Sequence, residues 1–296
     1  MRFTTFATLT RIEHSVLLAA GTWLGAFLAL GHAPATELAI LSVLPPFCIG
    51  LAAFALNDFF DREADRLNKR FDRPLVNGSA SPEQAIIIAL LGFLFGLAFS
   101  VPLSFFAGDF TPFKIAFFFS LAAIAYSAAL KSLPLLGNLF IAASMAIAMV
   151  FGNIAVTPSS LSPPALAASA LAFIAGLGRE IAKTVQDVEG DRRARKATTL
   201  PMLIGIRNSL IAAITLYWLA ILLSFAPFFS IPPFTGNLTY LMLILACDVM
   251  LAFSSITLLQ RPRARALERS RKLSLGALAL GIMAFLFGAA FPIFLR

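Results

Sequence analysis

Apolar residues along this chain gather into runs of about 20, the length that carries a helix across a ~30 Å hydrocarbon core. Nine such runs stand near residues 14–31, 38–58, 84–106, 112–129, 134–156, 163–186, 208–229, 236–259 and 273–294. The connections between them alternate in character. Those near 32–37, 107–111, 157–162 and 230–235 are short and nearly free of basic residues, whereas the others are strongly basic. This alternation puts 21 of the 23 basic residues on one side of a membrane, with Lys114 and Arg296 opposite. The positive-inside rule makes the basic side cytoplasmic and places the N-terminus there.

Composition removes the competing soluble reading. At 296 residues the chain could hold two soluble domains, but 59% of it is hydrophobic and only 13% charged, where a soluble chain carries roughly 25% charge. The net charge of +8 would suit nucleic acid; its segregation into one set of loops points instead to topology and anionic headgroups. Cys48 and Cys247 lie in apolar runs and form neither a disulfide framework nor a metal-site spacing. Ala33-Pro34-Ala35 has the form of a signal-peptidase site, yet the preceding run is longer than a signal core and Glu13 and His14 interrupt its flank, so the first helix is expected to be retained.

The 15 acidic residues are spread unevenly. One cluster, Asn57-Asp58-Phe59-Phe60-Asp61-Arg62-Glu63-Ala64-Asp65, closes the second run; a helix through it stacks Asn57, Asp61 and Asp65 at i, i+4 and i+8, with Asp58 three residues from Asp61. The other closes the sixth run: Glu180, then Asp187-Val188-Glu189-Gly190-Asp191, with Asp187 and Asp191 again at i, i+4. Like charges at this spacing destabilise a helix and, near its C-terminus, oppose the dipole. Such an arrangement calls for a cation, and Mg²⁺, which takes one or two carboxylates and completes its shell with water and phosphate oxygens, suits it. Solvated loop charges paired with arginines would explain either cluster alone. Two clusters on one face, each followed by a basic stretch with a proline (Arg73-Pro74 and Leu200-Pro201), fit a two-metal diphosphate site formed by an internal duplication of four-helix units. The fourth run ends on the same face in Tyr126-Ser127-Ala128-Ala129-Leu130-Lys131, making Lys131 a candidate to neutralise phosphate and Tyr126 a candidate to hydrogen-bond it.

At these positions the sequence resembles the UbiA superfamily of intramembrane prenyltransferases. Residues 57–65 match its N-D-x-x-D-x-x-x-D motif, Asp187 to Asp191 its second D-x-x-x-D motif, and Arg73-Pro74 with Gly78 its R-P-x-x-x-G tail. Gln186 and Arg195-Lys196-Ala197 depart from the pattern. The resemblance implies an all-α integral membrane protein of nine helices, two four-helix repeats plus one, forming a single domain over 1–296 with motif loops 57–81 and 179–201. It implies Mg²⁺-dependent transfer of a prenyl group from its diphosphate to a membrane-embedded acceptor, with loss of pyrophosphate. Asn57, Asp58, Asp61, Asp65, Asp187 and Asp191 would hold metal. Asn57, Arg62, Arg73, Arg179 and Lys183 would bind the diphosphate, and Asp61, Asp191, Lys131 and Tyr126 would serve catalysis. The stretches Gly178 to Pro201 and Tyr126 to Lys131 are most similar to the archaeal lipid-synthesis branch, which implies a geranylgeranyl donor, geranylgeranylglyceryl phosphate as acceptor, and an active site at the cytoplasmic face of the plasma membrane.

An aromatic prenyltransferase of quinone or pigment synthesis shares much of this pattern. A secondary transporter, the reading from another class, would place its site near the midplane in broken helices, whereas both clusters lie at the membrane boundary. Outside the clusters, Asp248 within the eighth run is expected to be protonated and hydrogen-bonded between helices. Asn138 and Asn153 are candidates for pairing across helices, and His14 and Glu13 for interface positions.

Overall fold

The computed structural model describes residues 1–294 apart from 68, 195–197 and 260–263; the side chains of 189–194 and 264 are likewise outside the description. Its helices are α1 (Phe3–Thr10), α2 (Ile12–Leu30), α3 (Thr36–Leu67), α4 (Pro74–Asn77), α5 (Pro82–Ala107), α6 (Thr111–Ala128), α7 (Leu136–Val156), α8 (Pro163–Ala194), α9 (Leu200–Ile204), α10 (Ile206–Ser224), α11 (Ala226–Ser230), α12 (Leu238–Leu259) and α13 (Ala264–Ala290). Among the described residues nine helices are long and apolar enough to span a membrane, the seventh being α10 with α11, and each coincides with one of the nine apolar runs. The chain is a multi-pass membrane protein. Large side chains such as Leu94, Phe118, Leu222 and Met242 point outward, as a lipid-facing surface requires, while the inward faces are dominated by alanine, glycine and serine.

Small residues set the packing, because helices in lipid gain from close backbone approach rather than from leaving water. The crossing of α2 with α7 is the tightest: a Cβ on Gly25 would overlap the Met149 carbonyl, and one on Gly152 would overlap the Thr22 carbonyl. On α5, Gly92 and Gly96 play the same part against the backbone of α3 at Cys48 and Pro45. Pro45 and Pro46 each remove an N–H from the α3 ladder, and both face the interior cavity described below.

Two of the three expected interhelical polar contacts are present. Asn138 on α7 donates to Thr184 on α8 at 2.6 Å, and Ser224 on α10 donates to Asp248 on α12 at 2.8 Å. Asn153 acts more locally: it donates to Ser160 and accepts from the Ser162 backbone, fastening the α7–α8 connection.

Candidate active site

The membrane-boundary ends of α3, α6 and α8 and the beginning of α13 meet around one cavity of about 1160 Å³. The helix of α3 continues past its apolar run through the first acidic motif to Leu67, so Asn57, Asp61 and Asp65 do lie on one face, and all three line the cavity. Asn57 Nδ2 donates to Asp61 Oδ2 at 3.0 Å. Past Leu67 the chain folds back, with Lys69 in the left-handed region at φ 55°. That reversal brings Arg70 to within 3.8 Å and Arg73 to within 3.9 Å of the two Asp65 oxygens. Pro74 then opens α4, where its fixed φ suits a first helical position, and Gly78 closes it at φ 78°, a conformation that favours glycine. The R-P-x-x-x-G tail is thus a device for turning Arg73 back over the acidic helix.

Asp58 has a different setting. Almost fully buried, it accepts from Arg11 Nη2 at 2.9 Å and from Arg73 Nη1 at 3.4 Å on both oxygens, and it does not line the cavity. It anchors α1 and the motif tail to α3. Arg62 also stays off the cavity wall and pairs with Glu63 at 3.6 Å.

The opposite wall is α8. Arg70 Nη2 reaches Asp187 Oδ1 at 3.5 Å, so one guanidinium links the two acidic motifs across 117 residues of sequence. Two turns earlier on α8, the buried Glu180 accepts from Arg179 at 2.6 Å and from Lys183 at 3.2 Å. The side chain of Asp191, the second residue of this motif, lies outside the described residues.

Between the walls stands Lys131, in a 3-10 turn at Leu130–Ser132. Its ammonium donates to Asp61 Oδ1 at 2.5 Å and to Asn57 Oδ1 at 3.5 Å, and lies 5.9 Å from the Phe60 ring centre. Gly137 makes room for this turn, since a Cβ there would press to 3.3 Å from Lys131 Cα. Tyr126 lines the cavity stacked on Phe140 at 4.6 Å. Sequence reasoning thus gathered nine lining residues: Asn57, Asp61, Asp65, Arg73, Tyr126, Lys131, Arg179, Lys183 and Asp187. It did not single out Arg11, Arg70, Thr199 or Arg271 as site residues, and it set His14 aside as an interface residue, yet all five line the same cavity. Arg70 and Arg271 sit in stretches that topology alone accounts for; nothing local marks them.

Below this rim the lining turns apolar: Ile49, Phe119, Ala123, Phe140, Met149 and Ile282 continue the same cavity inward. Met149 is 11 residues beyond Asn138 on α7, so the apolar part reaches about 16 Å below the rim at 1.5 Å per residue. The chamber is amphipathic end to end, with charge at the membrane boundary and hydrocarbon walls within.

The donor set at the rim fits Mg²⁺. It consists of hard carboxylate and amide oxygens, and cationic groups already stand where a metal would neutralise them, Lys131 at Asp61 and Arg70 between Asp65 and Asp187. Among the described residues no three His, Cys, Asp or Glu side chains form a closed cage. Mg²⁺ takes one or two carboxylates and completes its shell with waters and phosphate oxygens.

Among the described residues, nine helices able to span a membrane surround a chamber with acidic motifs at its mouth, the form of an intramembrane transferase of the prenyl-diphosphate type. The chain belongs to the UbiA prenyltransferase family, whose family model matches residues 18–276. It is similar to digeranylgeranylglyceryl phosphate synthase of Archaeoglobus fulgidus, at 33% identity over 95% of this chain and 94% of the relative. It is also similar to the synthase of the same name from Thermococcus gammatolerans, at 30% identity over 98% and 99%. A solved structure of a digeranylgeranylglyceryl phosphate synthase superposes with TM-score 0.75 at 25% identity, covering 97% of this chain and 98% of that one. A UbiA homolog of Archaeoglobus fulgidus bound to GPP and Mg²⁺ has the same fold, with TM-score 0.66 at 17% identity over 95% and 99% of the chains.

Proposed function

We propose that this protein transfers a geranylgeranyl group from its diphosphate to the free hydroxyl of geranylgeranylglyceryl phosphate, releasing pyrophosphate. The observation that carries this reading is the continuity of the cavity, from a rim that can hold a diphosphate to an apolar length that can hold its prenyl chain. A prenyl tail gains ~0.8 kcal/mol per buried methylene, so the apolar length binds the donor while the rim aligns its reactive end. The names of the relatives, and the GPP and Mg²⁺ bound by the Archaeoglobus homolog, support the donor and acceptor classes.

Ionisation of the allylic C–O bond leaves a negative charge growing on the diphosphate and a carbocation on the prenyl group. Lys131, Arg70 and Arg73 meet the diphosphate from three directions; preorganised charge of this kind is worth most where water is excluded. Asn57, Asp61, Asp65, Asp187 and Asp191 would hold Mg²⁺, which would supply further positive charge to the departing oxygens. Phe119 and Phe140 face the chamber just below, where aromatic faces attract a cation and keep water from quenching it. The acceptor hydroxyl then forms the new C–O bond and releases its proton. Asp58 serves as a positioning residue behind the metal face, and Tyr126 offers a hydroxyl toward the reacting oxygens.

In the same reading the rim faces the cytoplasm at the plasma membrane, the N-terminus is cytoplasmic, and the helices descend from two four-helix repeats within a single domain. The segregation of basic residues supports the orientation, and the correspondence of the motifs on α3 and α8 supports the repeat. The deciding experiment supplies the protein in nanodiscs with labelled geranylgeranyl diphosphate and Mg²⁺, and with geranylgeranylglyceryl phosphate, hydroxybenzoate or homogentisate in separate reactions. A doubly prenylated glyceryl phosphate is expected; a prenylated aromatic as the sole product overturns the acceptor.

A further inference from the structure

Two groups of described charged side chains at the cavity rim and just behind it have different balances. In the first, Asp58, Asp61, Asp65 and Asp187 are met by Arg11, Lys131, Arg70 and Arg73, four acids against four bases, through contacts of 2.5 to 3.9 Å. In the second, Arg179 and Lys183 share one carboxylate, Glu180. That group carries an unmatched positive charge. Arg179 is 9% exposed, and its Nε has no hydrogen-bond partner within the protein. Thr199, which lines the cavity too, is 7% exposed with a buried and unpartnered hydroxyl. A buried donor left without an acceptor costs about 1–3 kcal/mol; the two residues that carry such donors line the same cavity as the cationic pair Arg179 and Lys183, and together they ask for an anion.

The donor does not use this demand up. A diphosphate is met by Lys131, Arg70, Arg73 and the metal-binding oxygens of the first group. The acceptor of the proposed reaction brings a second anionic group of its own, a phosphate monoester, which a rim with only the first group would leave unmatched. We infer that Arg179 and Lys183, with the Thr199 hydroxyl, form a separate anion subsite that takes the phosphate monoester of the lipid acceptor. Glu180 is its positioning residue: buried between the two cations, it holds both toward the cavity and leaves one positive charge in excess. Keeping the two phosphate-bearing ends on different parts of the rim separates like charges and places both prenyl chains in the apolar chamber below. The subsite also gives a physical reason for selecting a glycerol phosphate lipid over an uncharged acceptor.

The inference rests on the proposed acceptor, so its test separates the two. Lys183→Gln is the mild variant, since that side chain is 40% exposed; Arg179→Gln is the stronger one, with its melting temperature measured alongside. Kinetics are compared for geranylgeranyl diphosphate, for geranylgeranylglyceryl phosphate, and for the same lipid alcohol without its phosphate. The expected result is a KM for the phosphorylated acceptor raised about tenfold or more, the scale of losing one charge-assisted hydrogen bond, with the donor KM nearly unchanged. The preference of the wild type for the phosphorylated over the dephosphorylated acceptor should shrink by the same factor, and Lys183→Arg should restore it. Binding of the phosphorylated acceptor to metal-free protein should weaken in parallel. Equal loss for donor and acceptor would assign these residues to the diphosphate and overturn the subsite. A wild type that turns over only aromatic acceptors would instead overturn the acceptor itself.

Discussion

Lys131 Nζ donates to Asp61 Oδ1 at 2.5 Å, joining the turn after α6 to the acidic face of α3, and both side chains are less than a tenth exposed. An ammonium merely anchoring a helix at an interface would reach toward headgroups. This one is turned inward onto the carboxylate that stands at the centre of the first motif.

That pairing separates an anchor from a diphosphate ligand. Lys131→Met should lower kcat/KM for the prenyl diphosphate by about 2–3 kcal/mol, the scale of a charge-assisted hydrogen bond in a buried site. It should also lower the melting temperature, because Asp61 loses a buried partner. Steady-state kinetics beside a thermal melt check both; unchanged kinetics would leave Lys131 with a structural role alone.

Asp58 and Asp61, three residues apart in one motif, should fail in different ways. Asp61→Ala removes a cavity carboxylate and should abolish nearly all turnover in a folded protein. Asp58→Ala leaves Arg11 and Arg73 facing each other without their shared acceptor and should cost up to about 3 kcal/mol of stability, as breaking a buried pair does. Comparing melting temperatures with residual activity distinguishes them. Asp58→Ala with wild-type stability would remove its positioning role.

The α2–α7 crossing should tolerate no side chain. Gly152→Leu inserts a branched side chain where even a Cβ would overlap the Thr22 carbonyl, and overpacking of that kind costs typically 1–3 kcal/mol or more. The expected outcome is poor membrane accumulation or a lowered melting temperature, read by fluorescence-detected size exclusion. Because Gly152 packs against the α2 backbone and does not itself line the cavity, whatever protein survives should keep its donor KM.

The spans and the acidic motifs were legible because each is written in consecutive residues. Lipid imposes a length of about 20 apolar positions per helix, and helical periodicity alone puts Asn57, Asp61 and Asp65 on one face. What could not be read is what the fold adds between distant segments. Arg11 meets Asp58 across 47 residues, and Arg70 meets Asp187 across 117. Each looks locally like one more charge on the basic side of the membrane. The division of labour within residues 57–65 was hidden for the same reason. Asp58 and Asp61 are equivalent as letters, and only the return of Arg73 over α3 turns one into an anchor while leaving the other on the cavity wall.

Arg70 invites a prediction with opposite signs. It stands between Asp65 and Asp187, 3.8 and 3.5 Å away, in the region where a divalent cation would join the two motifs. Metal must displace it there, and the substrate diphosphate then gives it a new partner. Arg70→Ala should therefore bind Mn²⁺, used as a spectroscopic stand-in for Mg²⁺, more tightly in the absence of substrate. At saturating Mg²⁺ it should show a lower kcat/KM for the prenyl diphosphate. Its side chain is 41% exposed, and exposed pairs are worth only about 0–1 kcal/mol, so the gain in metal affinity should be a few-fold and no more. Paramagnetic titration of metal binding and steady-state kinetics on the same preparation measure the two effects separately. Weaker metal binding in the variant would mean that Arg70 holds the two acidic motifs in place for the ion rather than competing with it.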